Sequence, residues 1–265
     1  EFSSGQDYLG EGISRGLARG ILVSVDGRSI TGEGMGIGAV ALKDSRFSYF
    51  SRNCTTTGYA PHLIQQTFFI DSRIVWGVAG HPSVPLTWCL ERANEVYMRL
   101  PGLQFLLSPG SHVKRILGLN PVFEPIPPIA VSQFTYHMDN NRIDVSCTIR
   151  PLIGQLPSVF ILNELAADTF THAFSNGEAM KAPSGWIRHE PGNDFYDPEL
   201  RIRFIFPQES VRVSAPSTMW WGREHTRNLR WAGYSIEVPG SQGTMAPISC
   251  SYSVLFTAEP HAGGD

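Results

Sequence analysis

The chain has 265 residues, 42% of them apolar and 17% charged, with 26 Gly, 19 Pro and a net charge of −3. The apolar share excludes a disordered polypeptide, and the charge, below the roughly 25% usual for soluble domains, argues against long salt-bridged helices. No dense Lys/Arg run is present, which sets nucleic acid aside as a partner, and no apolar run is long enough to cross a bilayer as a helix.

Residues 1–20, EFSSGQDYLGEGISRGLARG, are glycine-rich and polar and read as an N-terminal arm. The stretch 21–82 reads as a first β-rich half. ILVSVDGRS supplies a β-branched run and a turn. GEGMGIGAVALKD places glycines at 32, 34, 36 and 38 ahead of a strand. No helix follows to aim its N-terminus at a phosphate, so these glycines predict close backbone approach or a sharply coiled strand rather than a nucleotide loop. FSYFSR, QQTFFID and RIVWGVAG continue as strands.

Residues 83–119 differ. SVPLTWCLERANEVYMRL has apolar side chains at Leu86, Leu90, Ala93, Tyr97 and Leu100, a helical spacing that starts at Ser83 and stops at Pro101-Gly102. A second short helix is expected over SHVKRILG. This insertion is a candidate lid, or a membrane-surface element with LQFLL beside Lys114 and Arg115.

The stretch 120–260 reads as a second β-rich half. FTYHM, DNN and IDVSCTIR form a hairpin in which Ile143, Val145, Cys147 and Ile149 share one face. VFILNEL and TFTHAF are taken as strands, with Asn176-Gly177 as the hairpin turn into EAMKA. LRIRFIF, SVRVSA, GYSIEV and SCSYSVLFTAE follow. The expected fold is mainly β, an antiparallel sandwich or barrel with a short helical insertion, in two β-rich halves or one continuous domain.

Cys54, Cys89, Cys147 and Cys250 are far apart and form no CxxC, so reduced structural cysteines are expected, and with them a cytoplasmic protein. His81, His137, His172 and His189 lack the spacing of a metal site, and neither a metal nor a cofactor is predicted.

Three of six tryptophans fall in STMWWGREHTRNLRW. Trp220 and Trp221 are adjacent, so in a strand they point to opposite faces and cannot both fill one core. Glu224 and His225 are candidate acid/base groups beside them, with Glu164 at the end of an apolar strand as a third. Trp220, Trp221, Trp231, Arg223, Asn163 and His172 are the candidate ligand contacts. The first expectation is an apolar or aromatic small molecule held in a dry hollow, with cofactor-free isomerisation, cyclisation or hydration. The second is a carbohydrate-active protein, with indoles stacking on sugar faces and paired carboxylates as catalysts. The third is a non-catalytic structural or membrane-surface protein.

Overall fold

The computed structural model describes residues 2–4, 16–60, 62–78, 81–99, 118–175, 177–225, 230–242 and 246–258. The second predicted helix, Leu106, Lys114 and Arg115 lie outside them. The principal strands are β1 (Ile21–Val25), β2 (Gly36–Lys43), β3 (Ser48–Ala60), β4 (Leu63–Val78), β5 (Leu119–Asp139), β6 (Arg142–Pro151), β7 (Ser158–Leu165) and β8 (His172–Ser175). They continue as β9 (Glu178–Lys181), β10 (Gly185–Arg188), β11 (Asn193–Asp197), β12 (Ile202–Ile205), β13 (Thr218–His225), β14 (Arg230–Val238) and β15 (Ile248–Ala258). Among the described residues the one α-helix is α1 (Val84–Arg99).

Each of these elements follows from local pattern. The β5–β6 hairpin turns at Asn140, which takes the left-handed backbone (φ 46°) that asparagine tolerates. The β8–β9 hairpin turns through Gly177, at φ 83°. Helix α1 begins where the Ser83 hydroxyl accepts from the Leu86 N–H at 3.4 Å, and Thr87 ties the helix to β4 by accepting from the Trp76 N–H at 2.7 Å. Strand β5 begins earlier than the alternation of FTYHM suggested, because the proline-rich run from Leu119 also pairs with β4.

The strands form two antiparallel layers. One runs β10–β13–β14–β7–β2, and the other β4–β5–β6–β15–β12–β11–β8–β9. Strand β3 turns the corner, pairing with β2 over Ser48–Phe50 and with β4 from Tyr49 onward, and register shifts after Phe50 and Ser51 supply the bend. Side chains of the two layers meet face to face as in a sandwich. Buried residues from Ala18 to Phe256 join one apolar cluster that draws on both sequence halves.

Three tyrosines cross the gap between layers. Tyr136 of β5 donates its hydroxyl to the Gly38 carbonyl at 3.0 Å, Tyr252 of β15 to Asn163 Oδ1 at 2.9 Å, and Tyr234 of β14 to the Phe204 and Asn193 carbonyls at 2.9 and 3.1 Å. Glycine is required at 38 because a Cβ there would sit 2.6 Å from the Tyr136 ring. Gly34 and Gly36 are required for another reason: a Cβ would fall 2.6 and 2.7 Å from backbone oxygens of Glu164 and Ile21. The glycine run is thus a device for close backbone approach.

Candidate functional site

Alternation along β13, β14 and β7 sorts the candidates onto two faces. Trp221, Tyr234 and Asn163 point into the interlayer core. Trp221 is 1% exposed and packs on Phe195, ring centroids 5.3 Å apart, and on His189 at 6.4 Å. Phe204 and Phe206 lie 5.0 and 5.2 Å from Tyr234. Rings at these separations are in contact, so the space around Trp221 is filled rather than hollow. Asn163 Oδ1 accepts from the Gly38 N–H at 3.2 Å as well as from Tyr252, which makes it a cross-layer clamp. His189 Nε2 lies 3.3 Å from the Phe206 carbonyl, and burial pushes its pKa down to about 4.

The opposite, outward face of the same strands carries Glu164, Glu224, Trp220 and Trp231. Glu224 and Trp231 are register partners, and Glu164 pairs with Gly233, which in turn pairs with Gly222. Trp186, on β10 opposite Gly222, lies flat on Trp231, with ring centroids 4.1 Å apart and planes 18° from parallel. Trp231 is buried by this stack, while Trp186 keeps 36% of its surface exposed. Trp220 lies further along the same face and donates its indole N–H to Glu237 Oε2 at 2.7 Å. Gly222 and Gly233 are tightly placed: a Cβ on either would lie 2.1 or 2.0 Å from a neighbouring carbonyl oxygen. Between the indole stack and Glu164 the sheet therefore has no side chain.

Glu164 is 6% exposed, and its Oε2 accepts the Met35 N–H at 3.2 Å. Burial raises its pKa to about 7, opposed by the Met35 hydrogen bond and by Arg19, and reinforced by the like charge of Glu224. Arg19 holds the covering loop in place by donating to the Gly32 and Gly34 carbonyls at 2.8 and 2.5 Å. Burial also lifts the Glu224 carboxyl above its ordinary range. Two strand spacings and a two-residue offset separate these carboxylates by about 12 Å between Cα atoms. The Glu164 carboxyl is bonded toward Met35, on the β2 side, and Glu224 is within electrostatic reach of it.

The rim is ionic. Asp168 lies 2.5 Å from His225 Nε2 and 3.9 Å from Arg230 Nη1. Arg223 donates to the Ala167 carbonyl through Nε and Nη2 at 3.1 and 2.9 Å, which fixes the turn bearing Asp168. His172 stands apart on β8, in the other layer, with its Nδ1 2.9 Å from the Thr171 hydroxyl.

Glu164, Glu224, Trp231 and Trp220 thus fall on one face, whereas Trp221 and Asn163 face the core and Arg223 and His225, which alternate with Glu224, share the side of Trp221 at the end of β13. Trp186 was not legible in KAPSGWIRHE, where no alternation surrounds it. Its signal is the glycine at 222, which leaves the space it covers. Among the described residues no group of three or more His, Cys, Asp or Glu side chains is placed to hold a metal.

No family model matches this sequence, and no curated protein does. Among solved structures, one similar chain is described as a "Putative aldose 1-epimerase" from Escherichia coli K12, with a TM-score of 0.36 and 7% identity over 97% of this chain and 81% of that one. A likeness at that level assigns neither family nor activity.

Proposed function

We propose that this chain is carbohydrate-active, using the outward face of the β10–β13–β14–β7–β2 layer. The observation that carries the reading is the Trp186–Trp231 stack on the same face as Glu224 and Glu164. An exposed indole surface gives a sugar ring an apolar platform. Two carboxyls with raised pKa values can divide the work of breaking a glycosidic bond. Glu164, protonated up to about pH 7, is the general acid, and Glu224 is the base or nucleophile.

The test is release of reducing ends from a panel of oligosaccharides and polysaccharides. The active substrate should lose at least 100-fold in kcat with Glu224→Gln and with Glu164→Gln, the folded fraction being unchanged. Its rate should fall as pH rises through about 7, when Glu164 loses its proton. Equal rates for wild type and both variants on every active substrate would refute the assignment. The apolar-ligand reading retains less support, since the rings around Trp221 occupy the space such a ligand would need.

A further inference from the structure

The two buried cysteines of the second layer face each other. Cys147 of β6 and Cys250 of β15 are register partners, 4% and 3% exposed. Ser249 and Ser253 turn their N–H groups to Ser214 and Ser210 on the far flank of β15. In an antiparallel ladder the alternate residues Cys250 and Tyr252 then turn their backbone groups toward β6, so Cys250 and Cys147 form a hydrogen-bonded pair. Such a pair has Cα atoms about 5.5 Å apart, inside the range that a disulfide spans. Its Cβ atoms stand about 5 Å apart and must close by about 1 Å to bond, which stores strain.

We propose that Cys147 and Cys250 form a reversible cross-strand disulfide that clamps β6 to β15 beneath the interlayer tyrosines. With a glutathione-type disulfide as oxidant, one protein thiolate attacks an oxidant sulfur and expels one thiolate, leaving a mixed disulfide. The second protein thiolate attacks the protein-side sulfur and expels the other. Two protein thiols are oxidised, one oxidant disulfide is reduced to two thiols, and the two protons pass to the leaving thiolates. Burial confines this exchange to openings of the β6–β15 ladder, of which folding is the largest. Tyr252, two residues from Cys250 on the same face, hydrogen-bonds Asn163 of β7, so the clamp also anchors the strand that bears Glu164. Strain keeps the bond reducible rather than permanent. Cys54 stands opposite Phe68, and Cys89 is exposed on α1, which makes them internal controls.

The experiment is to refold the reduced full chain carrying Cys89→Ser in glutathione buffers from reducing to oxidising, alkylate free thiols, and map tryptic peptides by mass spectrometry. Where refolding yield is low, the same buffers are applied to native protein in sub-denaturing urea. The expected result is joint loss of alkylation at Cys147 and Cys250, a linked peptide, its reversal in reducing buffer, and a Tm several degrees higher when oxidised. Cys147→Ala should abolish the linked peptide, and if that variant does not fold the wild-type cysteine pair still decides. Full alkylation of both cysteines at every buffer ratio, linkage to Cys54 instead, or an oxidised Tm at or below the reduced one would overturn the proposal.

Discussion

Trp221 and Trp186 sit on the two faces of one sheet layer, paired through neighbouring strands, and meet different surroundings. Trp221 is enclosed by Phe195 and His189, and its neighbour Tyr234 is tied to two carbonyls of the opposite layer. Among the described residues Trp186 has one aromatic partner, Trp231, and keeps 36% of its surface exposed. The polar groups divide in the same way. Asn163 is held between Gly38 and Tyr252, while Glu164, the next residue, faces outward with a raised pKa and a second carboxyl in electrostatic reach. The inward face uses its three tyrosine hydroxyls and Asn163 Oδ1 to join the layers. The other carries two carboxyls with raised pKa values and a half-exposed indole, and that is where a ligand can contribute.

Substitution is the strongest way to break this contrast. Trp221→Ala should destabilise the fold by about 3–5 kcal/mol, read as a lower denaturant midpoint with little change in slope. Trp186→Ala should cost about 1 kcal/mol, the worth of one exposed aromatic stack, while removing saccharide affinity. Similar losses of stability from both would show that the outward face is structural.

The second prediction concerns pH. His189 is held neutral, its pKa lowered from 6.5 to about 4, so its contribution to stability is complete above 6.5 and is lost as pH falls toward 4. Glu164 acts in the opposite sense. Its pKa is raised from 4.5 to about 7, so its contribution is complete below 4.5 and is lost as pH rises through 7. Between pH 4.5 and 6.5 the two slopes oppose each other, each about 1.4 kcal/mol per pH unit, and these two groups together should leave stability nearly flat. Glu164→Gln should unmask the His189 slope, with stability rising from pH 4.5 to 6.5. An unchanged, flat profile in that variant would contradict the raised Glu164 pKa.

The smallest effect is expected at the clamp. Tyr252→Phe removes one hydrogen bond while Asn163 Oδ1 keeps the Gly38 N–H, and should cost about 1 kcal/mol in chemical unfolding.

Much of the β framework was legible in the sequence because its signals are local. IDVSCTIR alternates, Asn176-Gly177 marks a hairpin, and the adjacency of Trp220 and Trp221 requires opposite faces, as found. The same alternation also separates Asn163 from Glu164, although both were natural candidates for one site. What local pattern could not supply was the register across β7, β14 and β13, since residues 164, 233 and 222 are brought level by pairings distant in sequence. Trp186 was hidden for that reason. Its place depends on Gly222 of a strand more than thirty residues later, and its own segment is too short to show a period.

The most direct test of the outward-face site is intrinsic tryptophan fluorescence during titration with soluble oligosaccharides, in wild type and in Trp186→Ala. A saturable change in emission for at least one saccharide, weakened tenfold or more by Trp186→Ala in a protein that remains folded, is the predicted result. A saccharide response of equal midpoint in both proteins, or no response to any saccharide in the wild type, would contradict it.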